Sequence, residues 1–347
     1  MLEVALDERG HQRFHAGQIF RWVYHRGVID PAAMTDLSRD LRATLANEFT
    51  VSTPEIVQRD QSIDGTEKFL LHLADGRTIE SVFIPDTPST APRYTFCIST
   101  QVGCAMACRF CLTGKMGLVR NLSAGEIVGQ VRVLVDALRM RDTRFNIVLM
   151  GMGEPLHNYD ETMKALRILA DTQGFAISPR RITLSTVGLL PALEKLAHEP
   201  VMPNLAISLH APTDAQRGDL VPINRKYGVS DIIAACKRFP LKRRSRITFE
   251  YVLLAGVNDQ PEDARRLAKL LAGVKSKVNL IPLNAAAGIP FDRPSDEAID
   301  RFAQILADHH LTVSVRKSRG RDIRAACGQL IVEGQKKSAA QQLAVMM

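Results

Sequence analysis

The chain has 347 residues, 46% of them apolar and 24% charged, with a formal net charge of +8 and six cysteines. That composition suits a folded protein with a sizeable core and excludes wholesale disorder. No apolar run approaches the roughly 18 residues of a membrane span, and the acidic N-terminal stretch lacks the apolar segment of a secretory leader. The expectation is a cytoplasmic protein with no membrane partner. Its thiols then stay reduced and serve as ligands, catalysts or core filler rather than as a disulfide framework.

The basic excess is uneven. Residues 1–90 carry 9 Lys and Arg against 14 Asp and Glu, and the remainder carries 36 against 23. Two basic runs stand out, KRFPLKRRSR from Lys237 to Arg246 and VRKSRGRDIR from Val315 to Arg324. Both lie in the same basic portion, which points to a polyanionic partner, RNA or DNA first. Six residues in total are Trp or Tyr, too few for a base-stacking platform, so phosphates and shape carry the expected contact.

Apolar spacing predicts helices over Gln18–Arg26 and Met34–Phe49. Alternating runs over 68–74 and 78–85, joined by Asp75-Gly76, predict a β-hairpin. The Pro- and Thr-rich stretch 86–93 reads as a boundary. From Tyr94 onward short β-rich runs recur at 94–100, 145–151, 181–186, 204–210, 246–254, 277–284 and 311–316, with helical patterns between most of them. The first of those helices opens on Ser123-Ala-Gly-Glu126, a capping box, and runs to about Met140. Repeated strand–helix units predict an α/β fold with a parallel sheet and right-handed crossovers. With no dinucleotide fingerprint, a full or partial barrel is favoured over a doubly wound sheet.

The most specific feature follows the first of these strands. Cys104, Cys108 and Cys111 are spaced C-x3-C-x2-C, so three soft thiolates within eight residues can converge on one soft metal centre. Zinc is the mundane occupant, but it normally closes with a fourth Cys or His, and nearby residues supply none. A [4Fe–4S] cluster has four irons, and three cysteines leave one of them open to a small chelating molecule. The second strand runs into Gly151-Met-Gly153-Glu154-Pro155, a weak signal alone because glycine turns after strands are common.

With that segment in register, the chain resembles the radical S-adenosylmethionine (SAM) enzymes. The strings Gln18–Gly27, GKMGLVRNLSAGEIVGQV, SLHAPTD, VPINRKY and AACGQL further resemble the adenine C2-methyltransferases of 23S ribosomal RNA and transfer RNA, over residues 10 to 333. The resemblance implies a partial (β/α)6 radical SAM barrel over 91–317 and a small N-terminal α+β accessory domain over 1–90. It also implies a C-terminal segment over 318–347 that carries a reactive cysteine. The implied cofactors are a [4Fe–4S] cluster on Cys104, Cys108 and Cys111 and SAM, two molecules per turnover. The implied partners are 23S rRNA, tRNA as a second substrate, and an electron donor such as flavodoxin or ferredoxin.

Chemistry explains the need for a radical. Adenine C2 is electron-poor and cannot attack the methyl of SAM, whereas a carbon radical can add to it. In the implied mechanism Cys327 carries the methyl group. Cys97 resolves the resulting RNA adduct by forming a transient disulfide with Cys327, and Glu80 accepts the C2 proton. Without the resemblance Glu80 would read as a solvent-facing strand residue, and Cys97 and Cys327 as core thiols. Implied SAM contacts are Gly153, Glu154, Ser185, Ser208, Leu209, His210 and Asn284, all at the C-terminal ends of strands, where barrels assemble their sites. Ala285-Ala286-Ala287 departs from the Pro-and-aromatic segment that the family more often shows after Asn284. Cys236 has no motif around it and is assigned to the core. The same mechanism at adenine C8, or a non-catalytic zinc-containing RNA-binding protein, are the alternatives.

Overall fold

The computed structural model describes residues 2–51, 53–86, 92–243 and 245–332. Most of the expected boundary segment, Arg244 in the first basic run, and the end of the C-terminal segment from 333 onward lie outside the described residues.

The N-terminal helices build a small core of their own from Leu6, Ile19, Trp22, Met34, Leu41 and Leu45. The helix expected over 18–26 is an α-helix from His15 to Phe20 that continues as a π-helical turn, Arg21–His25. The helix expected over 34–49 begins later, at Arg39, because Ser38 accepts from the Leu41 N–H and caps it there. Asp30 caps a separate 3-10 turn, Pro31–Ala33.

An antiparallel meander follows: β1 (Glu55–Gln61), β2 (Glu67–His72) and β3 (Thr78–Asp86). The expected hairpin at Asp75-Gly76 is the β2–β3 turn; β1 was not legible, since it is largely exposed and polar. β3 then pairs antiparallel with β4 (Arg93–Cys97), so the meander and the parallel strands form one ten-stranded sheet. β5 (Gln101–Gly103) and β6 (Leu118–Asn121) make a separate two-stranded ribbon, with the three clustered cysteines in the loop between them.

The parallel part continues through β7 (Asn146–Leu149), β8 (Ile182–Thr186), β9 (Asn204–Ser208), β10 (Ile247–Leu253), β11 (Ser276–Pro282) and β12 (Val313–Val315). It is the α/β fold with a parallel sheet that the strand–helix spacing led one to expect. The capping box is present in both directions, and its helix covers Ala124–Ala137. Gln130 of that helix accepts from Ser81 Oγ and the Ser99 N–H, both at 2.8 Å, and so ties β3 to the end of β4.

Parallel order brings every crossover back to the same end, so the C-terminal ends of β4 and β7–β12 gather around one cavity. The two basic runs therefore separate. Lys237–Arg246 precedes β10 and lies at the far end, while Val315–Arg324 follows β12 at the cavity end.

Candidate functional site

The cysteine loop is shaped by tight backbone approach. Gly103 sits at φ +77°, and a Cβ there would lie 1.9 Å from the Gly117 carbonyl oxygen; this is a position only glycine accommodates. The Cys104 N–H donates to Gly117 O at 3.0 Å, the Cys111 N–H to Cys108 O at 3.1 Å, and the Arg109 N–H to Leu220 O at 3.0 Å. All three thiols line an open cavity of about 890 Å3, counted out to its mouth. Burial, and after it the neighbouring thiols, push the Cys104 and Cys108 thiols far above their ordinary range. Such groups exist as thiolates when a metal replaces their protons. Among the described residues no three His, Cys, Asp or Glu side chains are gathered closely enough to hold a single ion. Three soft thiols from one short loop, all lining one cavity, can hold a cluster from one side.

The expected SAM contacts line the same cavity, with one exception. Gly153 is at φ +104°, packed on Gln101. Glu154 is buried, and its carboxylate accepts from the Val187 N–H at 2.9 Å and the Leu156 N–H at 3.0 Å. Burial outweighs those donors and raises its pKa to about 7. Ser185 and Ser208 bridge β8 and β9, Oγ to Oγ, at 3.2 Å. His210 adopts φ +62°, and its Nδ1 accepts from the Val252 N–H at 3.1 Å, which leaves the proton of the neutral ring on Nε2. Burial lowers its pKa to about 3. Leu209 is the exception: its side chain is turned into the core away from the cavity, and its N–H donates to Glu250 O. Asn284 donates to Cys327 O at 3.3 Å. The Oδ1 of Asn284 and the Oε1 of Gln329 are buried polar atoms with no partner among the described residues. The unpaired Asn284 acceptor shares its cavity with three thiols and a carboxylate, and a polar cofactor with an amino group and hydroxyls would satisfy it.

The C-terminal segment closes this cavity. The Leu112 N–H, one residue past the last clustered cysteine, donates to Gly328 O at 2.8 Å. Cys327 lines both the main cavity and a small adjoining one that also holds Cys97. Burial first, and the nearness of Cys327 second, push the Cys97 thiol up. The guanidinium of Arg316 lines the cavities beside Cys327, Cys97 and Glu250. Glu80 is buried rather than solvent-facing, with Lys68 Nζ at 3.1 Å from Oε1 and the Ile331 N–H at 2.8 Å from Oε2. Cys236 lies in the core on the helix Val229–Arg238, with its thiol pushed up to about 12 by burial alone.

Sequence reasoning missed Arg316, Lys68, Glu250 and Gln329. Arg316 belongs to a basic run that points to a polyanionic partner, and nothing in that run marks one arginine as turned inward. Gln329 lies in the string AACGQL, so its position carried a signal that was not read.

Comparisons with known proteins agree with this architecture. Residues 98–268 match the Radical SAM superfamily, and residues 1–51 match the ribosomal RNA large subunit methyltransferase N-terminal domain. A dual-specificity RNA methyltransferase RlmN of Syntrophotalea carbinolica is 52% identical over 92% of this chain and 84% of its own length. The RlmN of Geobacter sulfurreducens is 50% identical over 95% of this chain and 89% of its own. The crystal structure of a radical SAM methyltransferase from Sphaerobacter thermophilus superposes with a TM-score of 0.87 at 49% identity, covering 95% of this chain and 96% of that one.

Proposed function

The chain belongs to the RlmN family of radical SAM RNA methyltransferases, and from that premise we propose that it methylates C2 of an adenine in 23S rRNA, and of an adenine in tRNA. The observation that carries this reading is the convergence of Cys97, Cys327 and Arg316 on one small pocket that opens beside the three clustered thiols. A methyltransferase that delivered its methyl directly from SAM would have no use for a thiol pair there.

Bound on Cys104, Cys108 and Cys111 and against Glu154, Ser185, Ser208 and Asn284, a [4Fe–4S] cluster and SAM supply an electron, a methyl group and a hydrogen-abstracting radical. The protein's own groups do the rest. Arg316 sits beside the Cys327 sulfur, which accepts the methyl group. Cys327 then carries that carbon to the adenine ring. Glu80, fixed between Lys68 and Ile331, takes up the C2 proton. Cys97 attacks the Cys327 sulfur: the S–S bond forms as the bond from that sulfur to the transferred carbon breaks, and the carbon keeps the electron pair and takes a proton to become the methyl group of the released RNA. His210, neutral and donating only through Nε2, shapes the cavity without adding charge.

In this reading residues 1–90 form the accessory domain, 91–317 the barrel and 318–347 the thiol-bearing segment. An acidic one-electron carrier such as flavodoxin or ferredoxin reduces the cluster, and the enzyme works in the cytoplasm. No helix of the described residues is long and apolar enough to cross a membrane.

The decisive experiment is mass spectrometry of nucleosides from RNA of cells with and without the gene. 2-Methyladenosine that depends on the gene is the expected product; 8-methyladenosine alone would overturn the assignment to C2.

A further inference from the structure

The Lys237–Arg246 run is not used by the catalytic end of the sheet. Lys237 and Arg238 close the helix Val229–Arg238, and Lys242, Arg243 and Arg246 follow in the approach to β10. Lys275 precedes β11 beside them, its carbonyl accepting from the Ile247 N–H at 3.0 Å. These six cations are exposed, and among the described residues none of them lies within 4 Å of a carboxylate oxygen. By contrast Arg265 and Arg266, on the next helix, are both paired with acids. Arg243, Arg246 and Lys275 line a concave pocket with Ser245, Ser276 and Thr312, and Thr312 Oγ1 holds Arg246 Nη1 at 2.7 Å.

We propose that this basic concavity, at the end of the barrel opposite the thiols, binds phosphates of the RNA beyond the stretch held at the reaction centre. Unneutralised cations in a concave setting concentrate positive potential, and hydroxyls among them suit phosphate oxygens. Protein interfaces tend instead to be depleted in lysine. The pocket is lined by cations, hydroxyls and one imidazole, His310, with no Phe, Tyr or Trp, so recognition is chiefly of backbone charge. The proposal rests on the RNA methyltransferase reading and deepens it.

The test uses Arg243→Glu, Arg246→Glu and Lys275→Glu together, with filter binding to a long 23S rRNA fragment and to a short substrate hairpin across a salt series. For the long RNA, affinity should fall about tenfold or more, and the salt slope should shrink by roughly 2–3, one for each lost phosphate contact. Binding and methylation of the hairpin should be unchanged. Equal behaviour of variant and parent on the long RNA overturns the proposal, as does an equal loss on both RNAs. A parent protein that methylates neither RNA would count against the functional reading itself.

A separate observation concerns Arg217, whose side chain is fully buried in the helix Asp214–Leu220. Its guanidinium donates to Leu209 O at 2.9 Å, Val187 O at 2.6 Å, Ser208 O at 3.1 Å and Asn224 Oδ1 at 2.9 Å. None of these partners is a carboxylate. Asp214 is reached only through Asn224, whose amide donates to Asp214 Oδ1 at 2.9 Å. A buried cation without a contacting anion is costly to keep and calls for a reason. Its helix is tied to the cysteine loop by the Arg109 N–H on Leu220 O, and Cys108, Leu220, Ala211 and Val187 share one packed cluster.

We infer that Arg217 is a positioning residue that fastens the ends of β8 and β9 and places a fixed positive charge behind the Cys108 thiolate. A fixed cation favours the more negative, reduced cluster and raises its potential. Redox titration of the anaerobically reconstituted protein by electron paramagnetic resonance tests this. Arg217→Met should lower the reduced-to-oxidised ratio about tenfold at a fixed poise, a shift of 59 mV for one electron. Arg217→Lys should stay near the parent, and Asp214→Asn should shift the opposite way. If Arg217→Met fails to fold, the Asp214→Asn midpoint still decides. Midpoints that do not move with charge at either position overturn the inference, whereas a protein that reconstitutes no cluster contradicts the family reading instead.

Discussion

The Ile331 N–H donates to Glu80 Oε2 at 2.8 Å, joining residues 251 positions apart. The contact fixes a carboxylate on β3 to the same C-terminal segment that carries Cys327. Lys68, 3.1 Å away on β2, holds the other oxygen. The proposed base, the cation beside it and the proposed methyl-carrying thiol are thereby placed by one tertiary closure.

Burial raises the pKa of Glu80 and Lys68 opposes that rise. A general base works when ionised, so the acidic limb of kcat/KM should lie above the ordinary carboxylate range. Removing the cation in Lys68→Met should move that limb to higher pH, while Glu80→Gln should lose about 100-fold or more at every pH. A pH–rate profile on substrate RNA checks both; a limb that stays in place in Lys68→Met argues against Glu80 as the base.

The thiol pair makes a covalent prediction. Cys97→Ala should accumulate protein joined to RNA, seen as a slow nuclease-sensitive band on a denaturing gel. In Cys327→Ala no band should form, and the parent's Cys327 peptide should carry the extra mass of one CH2. Normal turnover by Cys97→Ala would remove the resolving role.

Backbone strain at the cysteine loop can be measured by comparison. Gly103 and Gly76 have nearly the same φ, +77° and +78°, but a Cβ at Gly76 meets nothing within 4 Å. Gly76→Ala should cost about 1 kcal/mol from the left-handed conformation alone. Gly103→Ala must also displace the Gly117 carbonyl and should cost roughly 3 kcal/mol or more in denaturant unfolding. Equal costs would mean that the ribbon yields freely.

His210 gives a stability prediction with a definite sign. Its folded pKa, about 3, lies below the ordinary 6.5, so the unfolded chain binds the extra proton and stability falls as pH drops below about 6.5. At pH 5 the loss from this residue is about 2 kcal/mol relative to pH 8. His210→Gln should show a flatter dependence over that range in urea unfolding. A parallel dependence in both proteins would mean that the buried ring contributes nothing to it.

The sequence alone named the candidate chemistry-bearing groups and the strand–helix alternation that makes a parallel sheet. Cysteine spacing, the capping box at Ser123 and the turn at Asp75-Gly76 are short-range signals, each produced by residues that touch their near neighbours. It read the helix start at Ser38 too early because apolar periodicity does not register a cap, and it passed over β1 because an exposed polar strand carries little alternation. What only the tertiary structure decided is which side chains share a pocket. Cys97 and Cys327 meet because β4 ends where the C-terminal segment folds back; Arg316 is turned inward among basic neighbours that face water; Glu80 is buried by a segment far along the chain; Leu209 points into the core. The two basic runs, alike in composition, lie at opposite ends of the sheet because one precedes a parallel strand and the other follows one. Parallel topology gathers strand ends from across the chain, and no local pattern encodes what that gathering brings together.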